Sequence, residues 1–233
     1  MPATILGSHL GIDTHANRPA ANAAGQPIGA LYSCSTHGLI YKTDGSTWST
    51  YATLSGTDTN GLVLLEQHTA SSSAQLDFTT FISSTYDDYL IEGVDLALAT
   101  SGANLLLEVG TGGGPTYDTG NTYEWSSHGQ SSDGVARNDS GSTGLAEIFH
   151  SMSNNAGYGH GSFKLQATNL QSTAHRKVFQ GTGQFVNAAP ANVFSVLGIS
   201  WSTTATAVTA LRFIASSGNI ASGTIRIYGV AKS

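Results

Sequence analysis

The stretch Ser162-Phe-Lys-Leu-Gln-Ala-Thr168 decides the fold, because polar and apolar side chains alternate along its whole length. Successive side chains of a β-strand point to opposite faces, so a period of two predicts a strand with one buried and one exposed face. The same alternation recurs in three further segments, which are Asn104–Val109, Leu211–Phe213 and Thr224–Tyr228.

Other short apolar segments extend this pattern over most of the chain, and clusters of Gly, Ser and Asn separate them. They are Leu62–His68, Ala74–Phe81, Asp88–Ala97, Thr122–Ser126, Ala146–Ser151, His175–Val186 and Val193–Trp201. Many short strands with turn signals between them predict an all-β fold, an antiparallel β-sandwich of jelly-roll type over residues 62–233. The weakly patterned stretches Thr111–Thr122 and Gly129–Gly144 are expected to be exposed loops.

The composition excludes several classes of protein. Only 10% of the 233 residues are charged, which is too few for the surfaces of a helical bundle. A net charge of -6 with nine Lys and Arg argues against nucleic-acid binding. Cys34 is the only cysteine, so no internal disulfide can form, and no apolar run is long enough for a membrane span.

The N-terminal region is expected to be organised differently from the rest. Residues 1–25 show no period and are predicted to be an extended arm that becomes ordered against a partner. Residues 26–55 read as a small β-hairpin module, and Ser55–Gly61 as a linker. The first 25 residues also lack the basic and apolar regions of a Sec signal peptide. The aromatic residues of the module are predicted to contact a neighbouring surface or chain, and they are Tyr32, Tyr41, Trp48 and Tyr51.

Two sets of motifs resemble parts of tailed-phage virion appendage proteins. The first is Arg18-Pro19 followed by Gly29-Ala-Leu-Tyr32, Gly38-Leu-Ile-Tyr41 and Asp44-Gly-Ser-Thr-Trp48, which is similar to a short hairpin module of virion proteins. The second lies in the C-terminal region and resembles phage fibre and tail-appendage domains. It comprises Leu76-Asp-Phe78, Tyr86-Asp-Asp-Tyr89-Leu-Ile, Gly112-Gly-Gly-Pro-Thr-Tyr117-Asp and Ile214-Ala-Ser-Ser-Gly-Asn-Ile-Ala-Ser-Gly-Thr-Ile-Arg-Ile-Tyr228-Gly229.

The resemblance implies a structural protein of the virion, assembled in the host cytoplasm and often trimeric. It implies attachment to other virion proteins through the N-terminal arm, and it brings no catalytic residues, so the chain is not expected to be an enzyme. Two alternatives stay open. One is a capsid or tail decoration protein without a receptor, and the other is a secreted carbohydrate-binding module or hydrolase.

Aromatic residues in polar loops suggest a host surface glycan as ligand. Aromatic planes accept the apolar faces of sugars, while carboxylate and amide groups bind the hydroxyls. The candidate residues are Tyr117, Tyr123, Trp125, Tyr158, Asp118 and Asn121. The alternative is that these rings fill the core or an oligomer contact.

Other kinds of chemistry find weaker support in the sequence, which predicts no catalytic residue, metal or cofactor. Gly110–Pro115 lacks the Lys and the helix of a phosphate-binding loop. Asp133-Gly134 and Asn138–Gly141 could offer oxygens to Ca²⁺, but turns require the same residues. The eight histidines show no metal-binding spacing, although His9, His15 or His160 could hold an ion on a trimer axis.

Hydrolase chemistry is not expected either. The chain has no Gly-x-Ser-x-Gly nucleophile elbow. A glycosidase needs two facing carboxylates, and Glu92, Glu108, Glu124 and Glu147 are the candidates considered. Three of the four lie in alternating strands, where an outward Glu is ordinary.

Overall fold

The computed structural model describes residues 9–13, 20, 28–34, 39–53, 61–141, 144–203 and 205–231. The chain divides into two compact units, Met1–Asp58 and Thr59–Ser233. The division falls inside the predicted linker, of which residues 55–60 lie outside the described part.

The first unit is a four-stranded sheet made of β1 (His9–Asp13), β2 (Leu31–Cys34), β3 (Leu39–Thr43) and β4 (Trp48–Thr53). Strands β2, β3 and β4 are antiparallel, and β1 pairs with β2 in parallel. The turn before β4 is built by the Asp44 carboxylate, which accepts hydrogen bonds from the backbone N–H groups of Ser46 and Thr47 at 2.8 and 2.7 Å. These bonds hold the pKa of Asp44 far below its usual range.

Strand β1 corrects the expectation for the arm at residues 9–13. This segment pairs with β2 of its own chain, whereas the arm was expected to become ordered against a partner. The open edge of β2 offers backbone N–H and C=O groups that an extended segment can satisfy, whatever its side chains. The rest of the predicted arm, apart from Ala20, lies outside the described residues.

The second unit contains two antiparallel sheets. Its strands are β5 (Leu62–Thr69), β6 (Gln75–Phe78), β7 (Tyr86–Leu98), β8 (Ala103–Thr111), β9 (Thr116–Tyr117), β10 (Tyr123–Ser131), β11 (Ala136–Gly141), β12 (Ala146–Met152), β13 (Gly161–Thr168), β14 (Lys177–Val186), β15 (Asn192–Trp201), β16 (Ala210–Ala215) and β17 (Ile220–Ala231). The larger sheet has the order β11-β10-β15-β14-β13-β7-β17-β5. The smaller has the order β12-β8-β16-β6, with β9 paired to β8.

Aromatic rings join the two sheets in one core. The Phe163 ring of the larger sheet stacks on Phe213 of the smaller at 5.9 Å between centroids, and Phe185 lies 4.9 Å from Phe149. All four side chains are buried, and each contributes roughly 1.5–3 kcal/mol of hydrophobic stabilisation. The prediction of an all-β fold with packed antiparallel sheets is confirmed, while the jelly-roll connectivity stays a prediction.

The expected loop Gly129–Gly144 is in fact mostly a hairpin. Strand β10 continues to Ser131 and β11 runs back along it, with Gly134 at a φ of +80° in the turn. The sequence of β11, Ala-Arg-Asn-Asp-Ser-Gly, has no alternating apolar positions because an edge strand is held by backbone pairing. The described residues include no helix that is long and apolar enough to span a membrane.

Candidate functional site

Two of the predicted glycan-binding rings lie in the core. Tyr123 is 0% exposed and Trp125 is 8% exposed, because both occupy inward positions of β10. The Tyr123 hydroxyl donates to the Asp118 carbonyl at 2.9 Å and accepts from the Val109 N–H at 2.7 Å. Burial raises the pKa of Tyr123. A sugar in solution has no access to either ring, which corrects the prediction for these two residues.

The side chains of Asp118 and Asn121 are bound by the chain itself. The Asp118 carboxylate accepts hydrogen bonds from the Gly120 N–H at 2.9 Å, the Thr122 hydroxyl at 2.6 Å and the Trp201 indole at 2.8 Å. Burial raises the pKa of Asp118, but these three bonds outweigh it and leave the pKa lowered. Asn121 Oδ1 accepts from the Gly144 N–H at 2.9 Å. Both residues hold loops in place.

Tyr117 is half-buried and Tyr158 is exposed, so the two remaining predicted rings differ in accessibility. The Arg212 guanidinium lies 3.6 Å from the centre of the Tyr117 ring. Tyr158 is 45% exposed. Of the six predicted glycan ligands, Tyr158 therefore offers the most accessible aromatic surface.

The predicted anchor residues of the first unit fall into two groups. Tyr32 is buried, and its ring centroid lies 6.1 Å from that of the half-buried Trp48. Tyr41 is also half-buried. Tyr51 is 61% exposed, with the Lys42 ammonium 5.4 Å from its ring. Tyr51 is thus the most accessible of the four for contact with another chain.

An ionic cluster holds three strands of the smaller sheet together. Arg212 on β16 donates two hydrogen bonds to Asp77 on β6, at 2.6 and 3.0 Å. Its other nitrogen lies 3.6 Å from Glu108 Oε2 on β8. Glu108 is 4% exposed, so the expectation of an ordinary outward Glu is wrong here. Burial raises its pKa, and Arg212 offsets part of that increase.

A cavity of about 410 Å³ lies where the β10–β11 edge of the larger sheet meets β12, the edge strand of the smaller sheet. Its polar groups come from five strands or loops and include Ser127, Asn138, Asp139, His150, Ser151, Asn187 and Ser195. Its apolar surface comes mainly from Ile148, Phe185 and Val193. Mixed walls of this kind and this volume are typical of small-ligand sites.

Ser195 gives this cavity its most unusual feature. It is 3% exposed on β15, and its hydroxyl has no hydrogen-bond partner among the described residues. The residue that faces Ser195 on β10 is Gly129, which has no side chain to bond the hydroxyl. A Cβ at Gly129 would lie 2.3 Å from the Phe194 carbonyl oxygen. Burying a hydroxyl without a partner costs about 1–3 kcal/mol. The oxygen itself has almost no accessible surface, so it gains a partner only when a ligand in the cavity brings a polar atom within hydrogen-bond distance.

Asp139, Glu147 and His150 form a cluster beside the cavity. Nδ1 of His150 lies 2.8 Å from Asp139 Oδ2 and 2.8 Å from Glu147 Oε2. Asp139 is on β11, while the other two are on β12. Glu147 and His150 are three residues apart, which would place them on opposite faces of a regular strand. Register shifts within β12 bring them together, and no sequence pattern announces such an irregularity.

The other histidines considered for metal binding have simpler surroundings. His160 Nδ1 lies 2.8 Å from Asp95 Oδ1, and His68 Nε2 lies 2.9 Å from Glu66 Oε1. The side chains of His9 and His15 lie outside the described residues. Asp133 binds the Val135 N–H at 3.1 Å and the Ser131 hydroxyl, as the turn interpretation predicts.

Comparison with known proteins finds no relative. No family model, curated protein or solved structure matches the chain.

Proposed function

We propose that this protein is a structural adhesion protein of a tailed-phage particle, and that it binds host surface glycans without turning them over. The proposal that it belongs to a virion depends on the resemblance of its hairpin module and C-terminal motifs to phage appendage proteins. The proposal of a glycan ligand depends on one observation above all, the cavity lined by Ser195, whose hydroxyl has no partner among the described residues.

The chemistry of the cavity suits a sugar. Hydroxyl, amide and carboxylate groups from Ser195, Asn138 and Asp139 can bond the hydroxyls of a saccharide. Phe185 and Ile148 supply apolar contact for its C–H faces. This cavity replaces the aromatic loop predicted from the sequence as the proposed binding site, and Tyr158 remains a possible additional contact.

We also propose a homotrimer attached to other virion proteins by its N-terminal part. Trimerisation would repeat each weak contact and so convert it into strong attachment. Phe194 and Val196, which are 53% and 54% exposed on β15, provide an apolar surface for contact between copies. The same surface favours the second candidate, a decoration protein that contacts only other virion proteins.

Blocking the cavity from its rim tests the glycan proposal. Ala189 is an exposed residue that lines the cavity, so Ala189→Trp should fill it without disturbing the core. Ala188→Trp is the matched control, because Ala188 is also exposed but does not line the cavity. Fluorescently labelled full-length variants would be applied to an array of bacterial surface polysaccharides.

We expect the wild type and Ala188→Trp to bind the same polysaccharides, and Ala189→Trp to lose binding. Equal binding by both variants, or no binding by the wild type, would contradict the glycan proposal. In the second case, a decoration protein would be favoured if the protein is present in purified particles and particles that lack it adsorb normally to the host. Release of sugars from the bound polysaccharide would support the hydrolase alternative instead.

A further inference from the structure

We infer that Asp139, Glu147 and His150 bind a divalent transition-metal ion beside the cavity. The three ligand atoms, one from each side chain, all lie within 4.8 Å of one another. The inference shares Asp139 with the glycan proposal, but its test uses the metal alone, so the two can fail separately.

The two carboxylates lie close to a single histidine nitrogen, which can neutralise and hydrogen-bond only one of them. Both carboxylate oxygens lie 2.8 Å from the same Nδ1 atom of His150. An imidazole nitrogen carries at most one hydrogen, so it can donate a full hydrogen bond to only one of them. A doubly charged ion placed among the three atoms would neutralise both carboxylates and accept the nitrogen lone pair.

The distances and exposures permit this coordination. Zn²⁺ binds histidine nitrogen and carboxylate oxygen at about 2.0–2.2 Å, which puts tetrahedral ligand atoms roughly 3.3 Å apart. Each carboxylate oxygen needs to move only about half an ångström away from Nδ1 of His150, from its present 2.8 Å. The side chains of Asp139, Glu147 and His150 are 36%, 19% and 55% exposed, so this adjustment leaves the core unchanged.

Ser195 provides an independent indication that this part of the molecule accepts a ligand. Ser195 lines the same cavity as Asp139 and His150, and its buried hydroxyl has no partner within the part of the chain that the structure describes. Three protein ligands leave a fourth position on a tetrahedral ion for water or for an oxygen of a bound molecule. The metal and the cavity would therefore form one continuous polar surface.

The donor set selects the class of metal. Imidazole nitrogen is a good ligand for Zn²⁺, Ni²⁺, Cu²⁺ and Fe²⁺, whereas Ca²⁺ and Mg²⁺ prefer all-oxygen sites. One histidine with two carboxylates therefore points to a first-row transition metal, for which Zn²⁺ is a convenient probe. This differs from the calcium loop that was considered from the sequence around Asp139.

Zinc titration of the metal-free, full-length protein tests the inference. After treatment with EDTA and its removal, isothermal titration calorimetry would follow Zn²⁺ binding to the wild type, His150→Gln and Glu147→Gln. His160→Gln is the matched control, because His160 is a surface histidine paired with a single carboxylate, that of Asp95.

We expect the wild type and His160→Gln to bind one equivalent of Zn²⁺ with equal affinity at this site. His150→Gln and Glu147→Gln should each weaken that binding by at least about 10-fold, because removal of a direct ligand reduces metal affinity more than removal of a group that only hydrogen-bonds a ligand. Unchanged binding in both variants would overturn the inference, as would absence of zinc binding by the wild type. Thermal unfolding in EDTA checks that the variants fold. If they do not, anomalous scattering from zinc-soaked wild-type crystals must place the ion at this cluster for the inference to survive.

Discussion

Replacing Ser195 with alanine should make the protein more stable. The residue is 3% exposed and its hydroxyl has no partner among the described residues, so the folded state bears an uncompensated desolvation cost of about 1–3 kcal/mol. Alanine keeps the backbone and Cβ and removes only the oxygen. The small void left by the missing oxygen lowers the free energy of unfolding by roughly 0.5 kcal/mol.

The net gain in the free energy of unfolding is therefore about 0.5–2.5 kcal/mol. For a unit of this size, such a gain raises the melting temperature by about 1–10 °C. Urea denaturation followed by tryptophan fluorescence measures it directly. A Trp48→Phe background confines the signal to Trp125 and Trp201, which both lie in the second unit.

Ser131 provides a control of opposite sign. It is 4% exposed on the neighbouring strand β10, but its hydroxyl bonds the Asp133 carboxylate and lies 3.0 Å from the Val135 carbonyl. Ser131→Ala should therefore lower the free energy of unfolding by about 1 kcal/mol. If Ser195→Ala instead destabilised the protein as much as Ser131→Ala, the hydroxyl of Ser195 would have a partner, and the argument from the cavity would fail.

Three further predictions follow from the packing and the charges. Gly183→Ala places a Cβ 2.6 Å from a core phenylalanine ring, so it should lower the free energy of unfolding by about 1–3 kcal/mol in a denaturation experiment. Gly113→Ala is the control, because its Cβ would have no described atom within 4 Å and should change stability by less than about 0.5 kcal/mol. Equal effects would contradict the packing. Arg212→Ala should cost about 3 kcal/mol at pH 7, because it leaves the buried Glu108 carboxylate without its cation. The cost should shrink as the pH is lowered, because burial raises the pKa of that carboxyl and its protonation removes the unpaired charge. A cost independent of pH would contradict this role. Asp118 has a lowered pKa, so the bonds to its carboxylate contribute stability that is fully present above the ordinary value of 3.8 and is lost as the pH falls from 3.8 through the lower pKa of the folded state. The advantage of the wild type over Asp118→Asn should shrink over that range, and a difference that stays constant below pH 3.8 would refute it.

Local chemistry explains why much of the fold was predictable. The alternation in Ser162–Thr168 appears in the structure as β13, with Phe163, Leu165 and Ala167 buried. A strand in the middle of a sandwich must bury one face, so its sequence records which face that is. The turn at Asp44 was equally visible, because a carboxylate there bonds the backbone only two and three residues away.

Two edge strands, β1 and β11, have no alternating pattern that predicts them, unlike the edge strands β5 and β12. The paired segments β1 and β11 are held by backbone hydrogen bonds to a neighbour, which any extended sequence can form. The aromatic residues of β10 were assigned the wrong role. Their polar neighbours suggested exposed sugar-binding rings, although Thr122–Ser126 is itself predicted as a strand, and Tyr123 and Trp125 occupy its inward positions.

The sequence by itself determined the class of fold, the buried face of the central strands and the low charge of the surface, since these depend on composition and on contacts along one strand. Only the tertiary structure decided that Asp139 meets Glu147 and His150, that Glu108 is buried beside Arg212, and that the Ser195 hydroxyl finds no partner among the described residues. Each of these depends on which strands become neighbours and where a strand departs from regular pairing. The distances that matter for function lie between residues far apart in the chain, so packing, not local pattern, sets them.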